Sequence, residues 1–455
     1  MNTDFIVLAA GKGQRMLGKV PKVLLPLGGK PMAQHVIDTV ATIKKSRPII
    51  VIGDQAEEVK KTLEVSKNTK WIKQRKRMGT GHAVKAALPA TRSGSVVVVL
   101  YGDVPMVQSK TLKALSKIAS QDCLAILTFH KDDPKGYGRI IRGSRNKVEG
   151  IIEEKDATEK QKTIKEVNSG VMAIKLSYLK KLIPLIKNNN AAREYYLTDL
   201  VGLAKNADLR VKAVLSQNST ETLGANTPME LQDLERAYQR NKAIKIVESG
   251  TRVADVLRID IRGSFESGKG SFIDVNNVFE GSVVLGDRVT IGPNCYIKDS
   301  TIGSDSNIKP NTIIEDSKVG TSCTLGPFTR VRGGTELEGS SELGNFVEVN
   351  RSKVGKSSKA KHLTYLGDAA LGEEVNIGAG TITCNFDGEK KNKTKIADKV
   401  FVGSNTSLIA PVSLGERSYT GAGSVITKNV PASNLAIGRS KQNNIKRKRK
   451  KKRKE

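Results

Sequence analysis

Aliphatic residues recur every six positions through about 150 residues of the C-terminal half, most of them directly before a glycine. Every third repeat is one residue short, so Leu285, Ile302 and Val319 are 17 residues apart. Small residues, Cys295 and Cys323 among them, follow four positions after the aliphatic ones. This period predicts a parallel β-helix with three short faces per coil, aliphatic residues stacked inside and small residues at the corners. The aliphatic positions are Leu285, Ile291, Ile302, Val319, Leu325, Leu343, Val354, Leu371, Ile377, Val402 and Leu414.

The N-terminal half, residues 1–226, follows a different pattern, in which apolar runs alternate with amphipathic stretches. Strands are predicted at 5–10, 48–53, 95–103 and 123–129, and helices at 31–45, 55–65 and 108–120. Continuous apolar strands separated by helices indicate a Rossmann-like α/β fold with a mainly parallel sheet covered on both faces. Ligands of such sheets bind beyond the carboxyl ends of the strands, and the loop after the first strand lies at that edge.

A single long helix is predicted between the two patterns. Thr227 is placed to cap it, Pro228 suits its first turn, and Glu230 completes a capping box with Thr227. Gly250 follows its end. The predicted domains are residues 1–226, a linker helix at 227–250, the β-helix at 251–440 and a disordered basic tail at 441–455.

The net charge of +30 raises the question of a nucleic-acid partner. Residues 446–455, KRKRKKKRKE, contribute +8 of it, and the remaining +22 (30 − 8) is interspersed with acids. We therefore expect no specific nucleic-acid binding, only non-specific attraction of the tail to anions. The four cysteines show no CxxC spacing, and no apolar run is long enough to span a membrane. These features predict a reduced, soluble, cytoplasmic protein.

The loop after the first strand, LAAGKGQRM, is glycine-rich but matches neither common phosphate motif. Gly11 and Gly13 are too close together for a Walker loop, and Met16 stands where a dinucleotide fingerprint has its third glycine. The glycines nevertheless let the backbone approach phosphates closely, and Lys12, Arg15 and Lys22 are cations within reach. Farther along, Asp103 ends the most apolar strand at the same edge and offers a hard oxygen ligand for Mg²⁺.

Longer motifs show what the whole chain resembles. They are LAAGKGQRM with PKVLLPLGGKPM, QRKRMGTGHA, YGDVP, GYGRI, IIEEKDAT, NSGV, EYYLTD, GNFVEV, HLTYLGDA, NIGAGTITCNFDG and VGSNT. From Phe5 to about Gln442 the chain resembles the bacterial family of bifunctional N-acetylglucosamine-1-phosphate uridylyltransferases and glucosamine-1-phosphate acetyltransferases. The resemblance implies that the β-helix is left-handed and that the protein is a homotrimer with acetyl-transfer sites between subunits.

The resemblance also implies a two-step reaction. The C-terminal half acetylates glucosamine 1-phosphate from acetyl-CoA. The N-terminal half then couples N-acetylglucosamine 1-phosphate to UTP, which releases pyrophosphate and yields UDP-N-acetylglucosamine, a precursor of peptidoglycan and lipopolysaccharide. Because the attacking sugar phosphate is already an anion at pH 7, uridylyl transfer needs no general base; the site must supply alignment and charge neutralisation.

By this resemblance, Asp103 and Asn226 hold Mg²⁺, and Lys22 and Arg15 contact the phosphates. The uridine nucleotide is surrounded by Leu8, Ala9, Gly11, Gln74, Gly79 and Thr80. The sugar is bound by Tyr101, Gly138, Glu153 and Asn168. His82 lies next to the nucleotide loop, where it is expected only to pack, and His35 and His130 are expected to be structural.

In the β-helix the candidate catalytic residue is His362. An amine must be neutral to attack a thioester, and histidine is the side chain whose ordinary pKa suits it to accept a proton near neutral pH. By resemblance His362 takes that proton. The amino-sugar phosphate site comprises Arg332, Tyr365, Asn376 and Asn385, and the acetyl-CoA site comprises Ala379, Ser404, Ala422 and Arg439.

The chain departs from the family at two positions of the acetyl-transfer half. Phe386 replaces the usual Tyr, which removes a hydroxyl. Asn350 replaces a Lys, and Arg351 stands beside it. In the repeat register Arg332 and Asn350 are stacked one coil apart, so an Arg and a Lys would clamp a phosphate there. Arg351 either swings round to replace the missing charge or faces solvent.

Two other functions are compatible with the same architecture. One is a nucleotidyltransferase for another sugar 1-phosphate with a purely structural β-helix, although His362 within HLTYLGD argues against it. The other is a non-catalytic regulatory protein, which would not need to keep Lys22, Asp103 and Asn226.

Overall fold

A computed structural model describes residues 2–11, 13, 16 and 20–446. The predictions for Lys12, Arg15 and the tail beyond residue 446 lie outside the described residues. The chain divides into two compact units, Met1–Tyr238 and Gln239–Glu455. The predicted domain limits at residues 226 and 250 lie on either side of this division and remain predictions.

The first unit is built on one large sheet, whose strands we number in chain order. They are β1 Thr3–Ala9, β2 Ser46–Ile52, β3 Lys70–Lys73, β4 Val96–Tyr101, β5 Cys123–His130, β6 Arg139–Arg142, β7 Val148–Ile152, β8 Glu166–Lys175 and β9 Arg210–Leu215. The order across the sheet is β9-β5-β8-β4-β1-β2-β3, with the β6–β7 hairpin attached to β8. A short separate hairpin pairs Pro26–Leu27 with Lys30–Pro31.

The sheet is mainly parallel, as predicted, with one strand reversed in its middle. Strand β1 pairs in parallel with β2 and β4, β2 with β3, and β5 with β9. Strand β8 runs antiparallel between β4 and β5. The carboxyl ends of β1, β2, β3 and β4 therefore meet at one edge.

Helices cover both faces of this sheet. They are α1 Met32–Ala41, α2 Ala56–Thr62, α3 Thr80–Ala87, α4 Ser109–Ala119, α5 Glu159–Lys162, α6 Leu176–Leu182 and α7 Leu200–Asn206. Helices α1, α2 and α4 pack with one set of strand side chains, and α3, α6 and α7 with the other. Short 3₁₀ turns occur at Lys22–Leu24, Leu88–Ala90, Ser144–Asn146, Ile183–Leu185, Leu197–Asp199 and Ser219–Thr222.

Helix α8, Pro228–Glu248, begins with the predicted capping box, in which the Glu230 carboxylate accepts from the Thr227 backbone and the Thr227 hydroxyl accepts from the Glu230 backbone. Its later residues close one end of the β-helix. Gln239 bonds both the backbone N–H and the C=O of Ile261, at 2.7 and 3.1 Å. This pairing satisfies backbone groups of the first coil, which has no preceding coil to bond.

None of the described helices combines the length and the apolar character that crossing a membrane requires.

The second unit is a parallel β-helix with three faces. One face stacks Arg252–Val253, Phe272–Ile273, Thr290–Ile291, Asn307–Ile308, Thr324–Leu325, Glu342–Asn345, Lys359–His362, Asn376–Ile377, Phe401–Val402, Tyr419–Thr420 and Leu435–Ala436. The second stacks Ile313–Glu315, Arg330–Arg332, Glu348–Asn350, Tyr365–Gly367, Ile382–Cys384, Ser407–Ile409 and Val425–Ile426. The third stacks Lys318–Val319, Glu336–Leu337, Lys353–Val354, Ala369–Leu371, Thr394–Ile396 and Val412–Leu414. Strands Ile259–Ser267, Asn277–Leu285 and Tyr296–Ile302 bend across the last two faces.

The predicted repeat register is confirmed. Leu285, Ile302 and Val319 pair in one column, and every predicted inward aliphatic residue is buried. The small corner positions are buried too, including Cys295 and Cys323. The core is thus a set of stacked aliphatic columns, each side chain covered by its equivalents one coil above and below.

Shortening one member of a column should therefore be costly. Leu325 lies fully buried between Ile308 and Leu343. We expect Leu325→Ala to lower the free energy of unfolding by about 2–5 kcal/mol, because it leaves a cavity that the coils cannot close. Urea denaturation followed by circular dichroism measures the change. Leu257→Ala, at a turn position with 59% exposure, is the matched control and should cost less than about 0.5 kcal/mol. Equal losses in the two variants would contradict the column model.

Candidate active sites

A cavity of about 550 Å³ lies at the carboxyl edge of the first unit's sheet. Nearly all the residues predicted for uridylyl transfer line it: Leu8, Gly11, Lys22, Gln74, Gly79, Thr80, Tyr101, Asp103, Gly138, Glu153, Asn168 and Asn226. Ala9 is not among them. 

Ala9 packs instead in the core on the opposite face of the sheet, and Arg15 lies outside the described residues. The cavity brings together residues from every part of the first 226 positions.

A lysine cation lies between the two predicted metal ligands. The Lys22 ammonium donates to the Asp103 carboxylate, and it donates to the Asn226 side-chain oxygen at 2.9 Å. All three side chains are largely shielded from solvent at the cavity wall. Asp103 and Asn226 therefore point their oxygens at one place where a positive charge is already accommodated.

Strand register and a helix cap produce this convergence. Leu8 of β1 pairs with Tyr101 of β4, so Asp103 follows directly beyond the end of β4. The backbone N–H of Ala225 donates to the Asp103 carbonyl at 3.3 Å, which lays the segment before α8 against it. The Glu230 carboxylate also accepts from the Asn226 backbone at 2.6 Å. The capping box of α8 thus positions Asn226 at the cavity.

Gln74 lies among the residues predicted to surround the nucleotide, and its side chain contacts Gly79 and His82. Its side-chain nitrogen lies 3.2 Å from the Gly79 carbonyl and 3.1 Å from His82 Nδ1. His82 therefore does more than pack, because it contacts the side chain that orients the loop. Gly79 has φ +102°, and a Cβ there would lie 2.6 Å from the Tyr195 carbonyl oxygen. Only glycine fits this close approach without displacing the backbone.

The residues predicted to bind the sugar include a buried phenol, Tyr101, and a buried carboxyl, Glu153. Burial raises the pKa of Tyr101 above its ordinary range, and the nearby Glu153 carboxylate adds to the effect. Burial likewise raises the pKa of Glu153, although the Thr198 hydroxyl donates to it at 2.9 Å and partly offsets the shift. The backbone N–H of Asn168 donates to the Gly138 carbonyl at 2.9 Å, which joins the other two predicted sugar residues. All four therefore border one part of the cavity.

The sequence analysis did not identify Arg77, a basic residue of this cavity. It belongs to the motif QRKRMGTGHA, in which the resemblance identifies only Gln74, Gly79 and Thr80. The signal available in the sequence was a basic side chain two residues before a glycine of the nucleotide loop. Its position on the cavity wall required the structure.

In the β-helix, the predicted catalytic and acetyl-CoA residues form a column along one corner. Asn345 pairs with His362, and the same register carried upward places Ala379, Ser404 and Ala422 in successive coils above it. Backbone bonds run up the column from Gly380 to the His362 carbonyl and from Asn405 to the Ala379 carbonyl. His362 is exposed, and the residues above it are small. Arg439 is exposed beyond the last strand.

The residues predicted to bind the amino-sugar phosphate lie at the next corner of the β-helix and on the face between the two corners. Arg332 pairs in register with Asn350, as predicted, and Tyr365 starts the strand that pairs with the one holding Asn350. The Arg332 guanidinium is bonded to Glu348 at 2.7 Å. Asn350 is 2% exposed, and its side-chain oxygen has no hydrogen-bond partner among the described residues.

Arg351 is neither free in solvent nor turned toward Asn350. It has a left-handed backbone, with φ 50°, and its guanidinium makes two bonds to the Asp368 carboxylate at 2.8 and 2.9 Å. This pairing lowers the pKa of Asp368. Asp368 also accepts from the Asn385 side chain. Hydrogen bonds therefore link Arg351 to Asn385 through Asp368. Phe386 is exposed, and Asn376 lies on the neighbouring face.

Comparison with known proteins agrees with both halves. The model of the MobA-like NTP transferase domain matches residues 5–171, and that of the GMPPB C-terminal domain matches residues 262–387. Bifunctional protein GlmU of Marinobacter nauticus is 46% identical over 440 residues, which cover 97% of each chain. The protein of the same name from Azoarcus sp. is 45% identical over 442 residues, 97% of this chain and 98% of its own. The solved structure of a UDP-glucose pyrophosphorylase complexed with UDP-glucose aligns with 53% of this chain and 100% of its own, at 16% identity and a TM-score of 0.44.

A nucleotidyltransferase unit followed by a hexapeptide-repeat β-helix defines the class, an enzyme with two transferase units in one chain. The chain belongs to the bifunctional GlmU family. It is an enzyme of UDP-N-acetylglucosamine synthesis with both uridylyltransferase and acetyltransferase activity. A nucleotidyltransferase with a purely structural β-helix and a non-catalytic regulatory protein are therefore set aside.

The contacts of Arg351 lead to a kinetic prediction. We expect Arg351→Ala to raise the KM for glucosamine 1-phosphate about tenfold and to leave the KM for acetyl-CoA unchanged, since it releases Asp368 and with it Asn385. Steady-state acetyl-transfer assays measure both constants. Arg288→Ala is the matched control, because the Arg288 guanidinium donates two hydrogen bonds to the Asp305 carboxylate in an earlier coil, at 2.6 and 2.8 Å.

A second variant separates the two roles that Arg351 could have. Asp368→Asn should raise the same KM if Arg351 acts by positioning Asn385. If Arg351 instead binds the phosphate itself, freeing it from Asp368 should leave the KM unchanged or lower it. An unaltered KM in Arg351→Ala would rule out both roles.

Proposed function

We propose that the cavity of the first unit binds UTP and N-acetylglucosamine 1-phosphate together with Mg²⁺, and that Asp103 and Asn226 hold the metal. The observation that supports this proposal is that the side-chain oxygens of Asp103 and Asn226 both accept hydrogen bonds from the Lys22 ammonium. A carboxylate and an amide oxygen suit a hard divalent cation. No group of three His, Cys, Asp or Glu that could hold a metal occurs among the described residues. Phosphates and water would complete the shell of an ion held by Asp103 and Asn226.

The metal, when bound, neutralises charge on the triphosphate. The residues of this chain do the rest. Lys22 has a long, flexible side chain that can turn from Asp103 and Asn226 to the phosphates. Gln74 and Gly79 bind the uracil, and Tyr101, Glu153 and Asn168 orient the sugar so that its phosphate attacks the α-phosphate of UTP in line. Alignment and charge stabilisation supply the catalysis, since the nucleophile needs no deprotonation.

We further propose that His362 is the general base of acetyl transfer. The amine of glucosamine 1-phosphate gives its proton to His362, its nitrogen bonds to the thioester carbon, and the carbon–sulfur bond breaks to release coenzyme A. Ala379, Ser404 and Ala422 rise about 14 Å along the corner from His362, at one coil per about 4.8 Å. This column of small residues suits an extended acyl carrier, and Arg439 beyond it suits the carrier's phosphates.

The amino-sugar phosphate fits between two corners of the same face. His362 ends the strand Lys359–His362 on one face, and after the corner at Leu363 the strand Tyr365–Gly367 begins the next face, where Gly367 pairs with Asn350. The proposed position of the hexose phosphate is over Tyr365, between His362 and Arg332. Asn376, Asn385 and Phe386 would border it.

An exposed apolar ridge supports a homotrimer. Phe328, Phe346 and Leu363 occupy the same corner in successive coils, and the two rings stack 5.2 Å apart. Phe346 is 58% and Leu363 64% exposed. Leu363 directly follows His362, so a subunit covering this ridge would border the acetyl-transfer site.

The free, mostly buried cysteines and the substrates, UTP and acetyl-CoA, favour a cytoplasmic location.

The two activities should separate by mutation. Asp103→Ala is expected to abolish uridylyl transfer and to leave acetyl transfer intact, because its metal site lies in the first unit. His362→Ala should do the reverse. Mass spectrometry of the products from glucosamine 1-phosphate, acetyl-CoA and UTP measures both activities in one assay. Loss of both activities in either folded variant would refute the two-site assignment.

The ridge makes a separate prediction about assembly. Phe346→Asp should convert a trimer to monomers, because three carboxylates would be buried at the subunit contacts. Light scattering after size exclusion gives the mass, and Leu257→Asp, an exposed position in a turn of the first coil, is the control. Acetyl transfer should fall with the trimer while uridylyl transfer persists. A wild-type monomer, or a trimer unaffected by Phe346→Asp, would overturn this assignment.

A further inference from the structure

We propose that Arg77 binds the β- and γ-phosphates of UTP, the part that leaves as pyrophosphate. The inference rests on the proposed placement of UTP in the cavity of the first unit. Arg77 lines that cavity, on the strand-end segment that also carries Gln74 and Gly79. Its guanidinium is a planar donor suited to phosphate oxygens.

The hydrogen bonding of Arg77 is incomplete without a ligand. Its Nη2 pairs with the Asp54 carboxylate at 3.0 Å. Its Nε and Nη1 are buried, and neither has a hydrogen-bond partner among the described residues. Buried donors are seldom left unsatisfied, because each costs its full desolvation. Two such nitrogens on one guanidinium, at the wall of a substrate cavity, indicate that the substrate supplies the missing acceptors.

The charge of Arg77 is only partly compensated. Its partner Asp54 has a side chain that is 64% exposed, so the pair is screened by solvent and contributes little. The Asp54 carboxylate therefore engages one nitrogen of the guanidinium and leaves the donors on Nε and Nη1 available. An anion complements these donors better than the neutral oxygens of uracil or ribose, because hydrogen bonds between two charged groups are the stronger ones.

The position of Arg77 points to the far end of the triphosphate. A Cβ built on Gly53, at the end of β2, would lie 3.2 Å from Arg77 Nη2 and 2.9 Å from the Ala10 carbonyl oxygen. The guanidinium thus lies over the ends of β1 and β2, beside the start of the loop at Gly11. Asp103 follows β4, on the other side of β1. With the α-phosphate at Asp103, the β- and γ-phosphates extend along the loop toward Arg77.

The test uses the full-length protein and substrates that differ in these phosphates. Arg77→Gln should raise the KM for UTP about ten- to a hundredfold, and should raise the KM for pyrophosphate in the reverse reaction by a similar factor. The Kd of UDP-N-acetylglucosamine, which lacks the leaving pyrophosphate, should stay within about twofold. Acetyl transfer should not change. Arg75→Gln removes an equal charge from an exposed position two residues earlier and is the matched control.

Two more variants keep the outcome clear if Arg77→Gln folds poorly. Arg77→Lys retains the charge but loses the planar guanidinium with its several donors, and it should give a smaller rise in the KM for UTP and for pyrophosphate. Asp54→Asn breaks the ion pair but keeps the guanidinium, so it should not raise the KM for UTP. Thermal melting of each variant without ligand measures any loss of stability. If Arg77 acted only through the structure, its variants would lose stability without a selective weakening of UTP and pyrophosphate binding.

Two results would overturn the proposal. Constants for UTP and pyrophosphate that match wild type in Arg77→Gln and Arg77→Lys would exclude any contact with these phosphates. An equal loss of UDP-N-acetylglucosamine binding would place Arg77 at the base or ribose instead. The proposed placement of UTP in this cavity is tested separately. Unchanged kinetic constants for UTP and pyrophosphate in both Asp103→Ala and Lys22→Ala would contradict that placement, whatever the result for Arg77.

Discussion

Parallel pairing of strands in register is the constraint on which both units depend. In the first unit it brings the ends of β1, β2 and β4 to one edge, so that residues far apart in sequence, such as Leu8 and Asp103, meet at one cavity. In the β-helix it places equivalent residues of successive coils above one another, so that His362 and Ala379 share a corner. In both units the candidate site residues lie at or near strand ends, in the adjoining loops or at corners, and the aliphatic residues of the strands provide the stability.

The repeat period was the most informative property of the sequence. Because inward positions must be filled in every coil, the register could be read directly, and it correctly paired Arg332 with Asn350. Four strands and three helices of the first unit were also predicted close to their observed limits, since long apolar runs and amphipathic periods report burial. Direction is a different property. An apolar run does not say which way its strand points, so the antiparallel β8 between β4 and β5 could not be foreseen.

Motifs located the first cavity well but incompletely. Gln74 and Gly79 were found because they match a pattern, whereas Arg77, two residues before Gly79, was not weighed. Its importance comes from burial and unsatisfied donors, which depend on neighbours distant in sequence such as Gly53 and Ala10. The role of Arg351 was left between two alternatives for a similar reason. The spacing shows that residue 368 lies one coil on, but only the structure shows the corner conformation that turns the guanidinium toward Asp368.

The cations proposed to act on phosphates already have carboxylate or amide partners in the protein. Lys22 is held by Asp103 and Asn226, Arg77 by Asp54, and Arg332 by Glu348. Phosphate binding is therefore an exchange of partners rather than the filling of an empty positive site. The exchange lowers the net affinity, because each existing pair must be weakened, but it keeps long side chains ordered before the substrate arrives and so reduces the entropy lost on binding. If Asp103 and Asn226 hold a divalent ion, as proposed, Lys22 would lose both partners, and its charge would become available to the nucleotide.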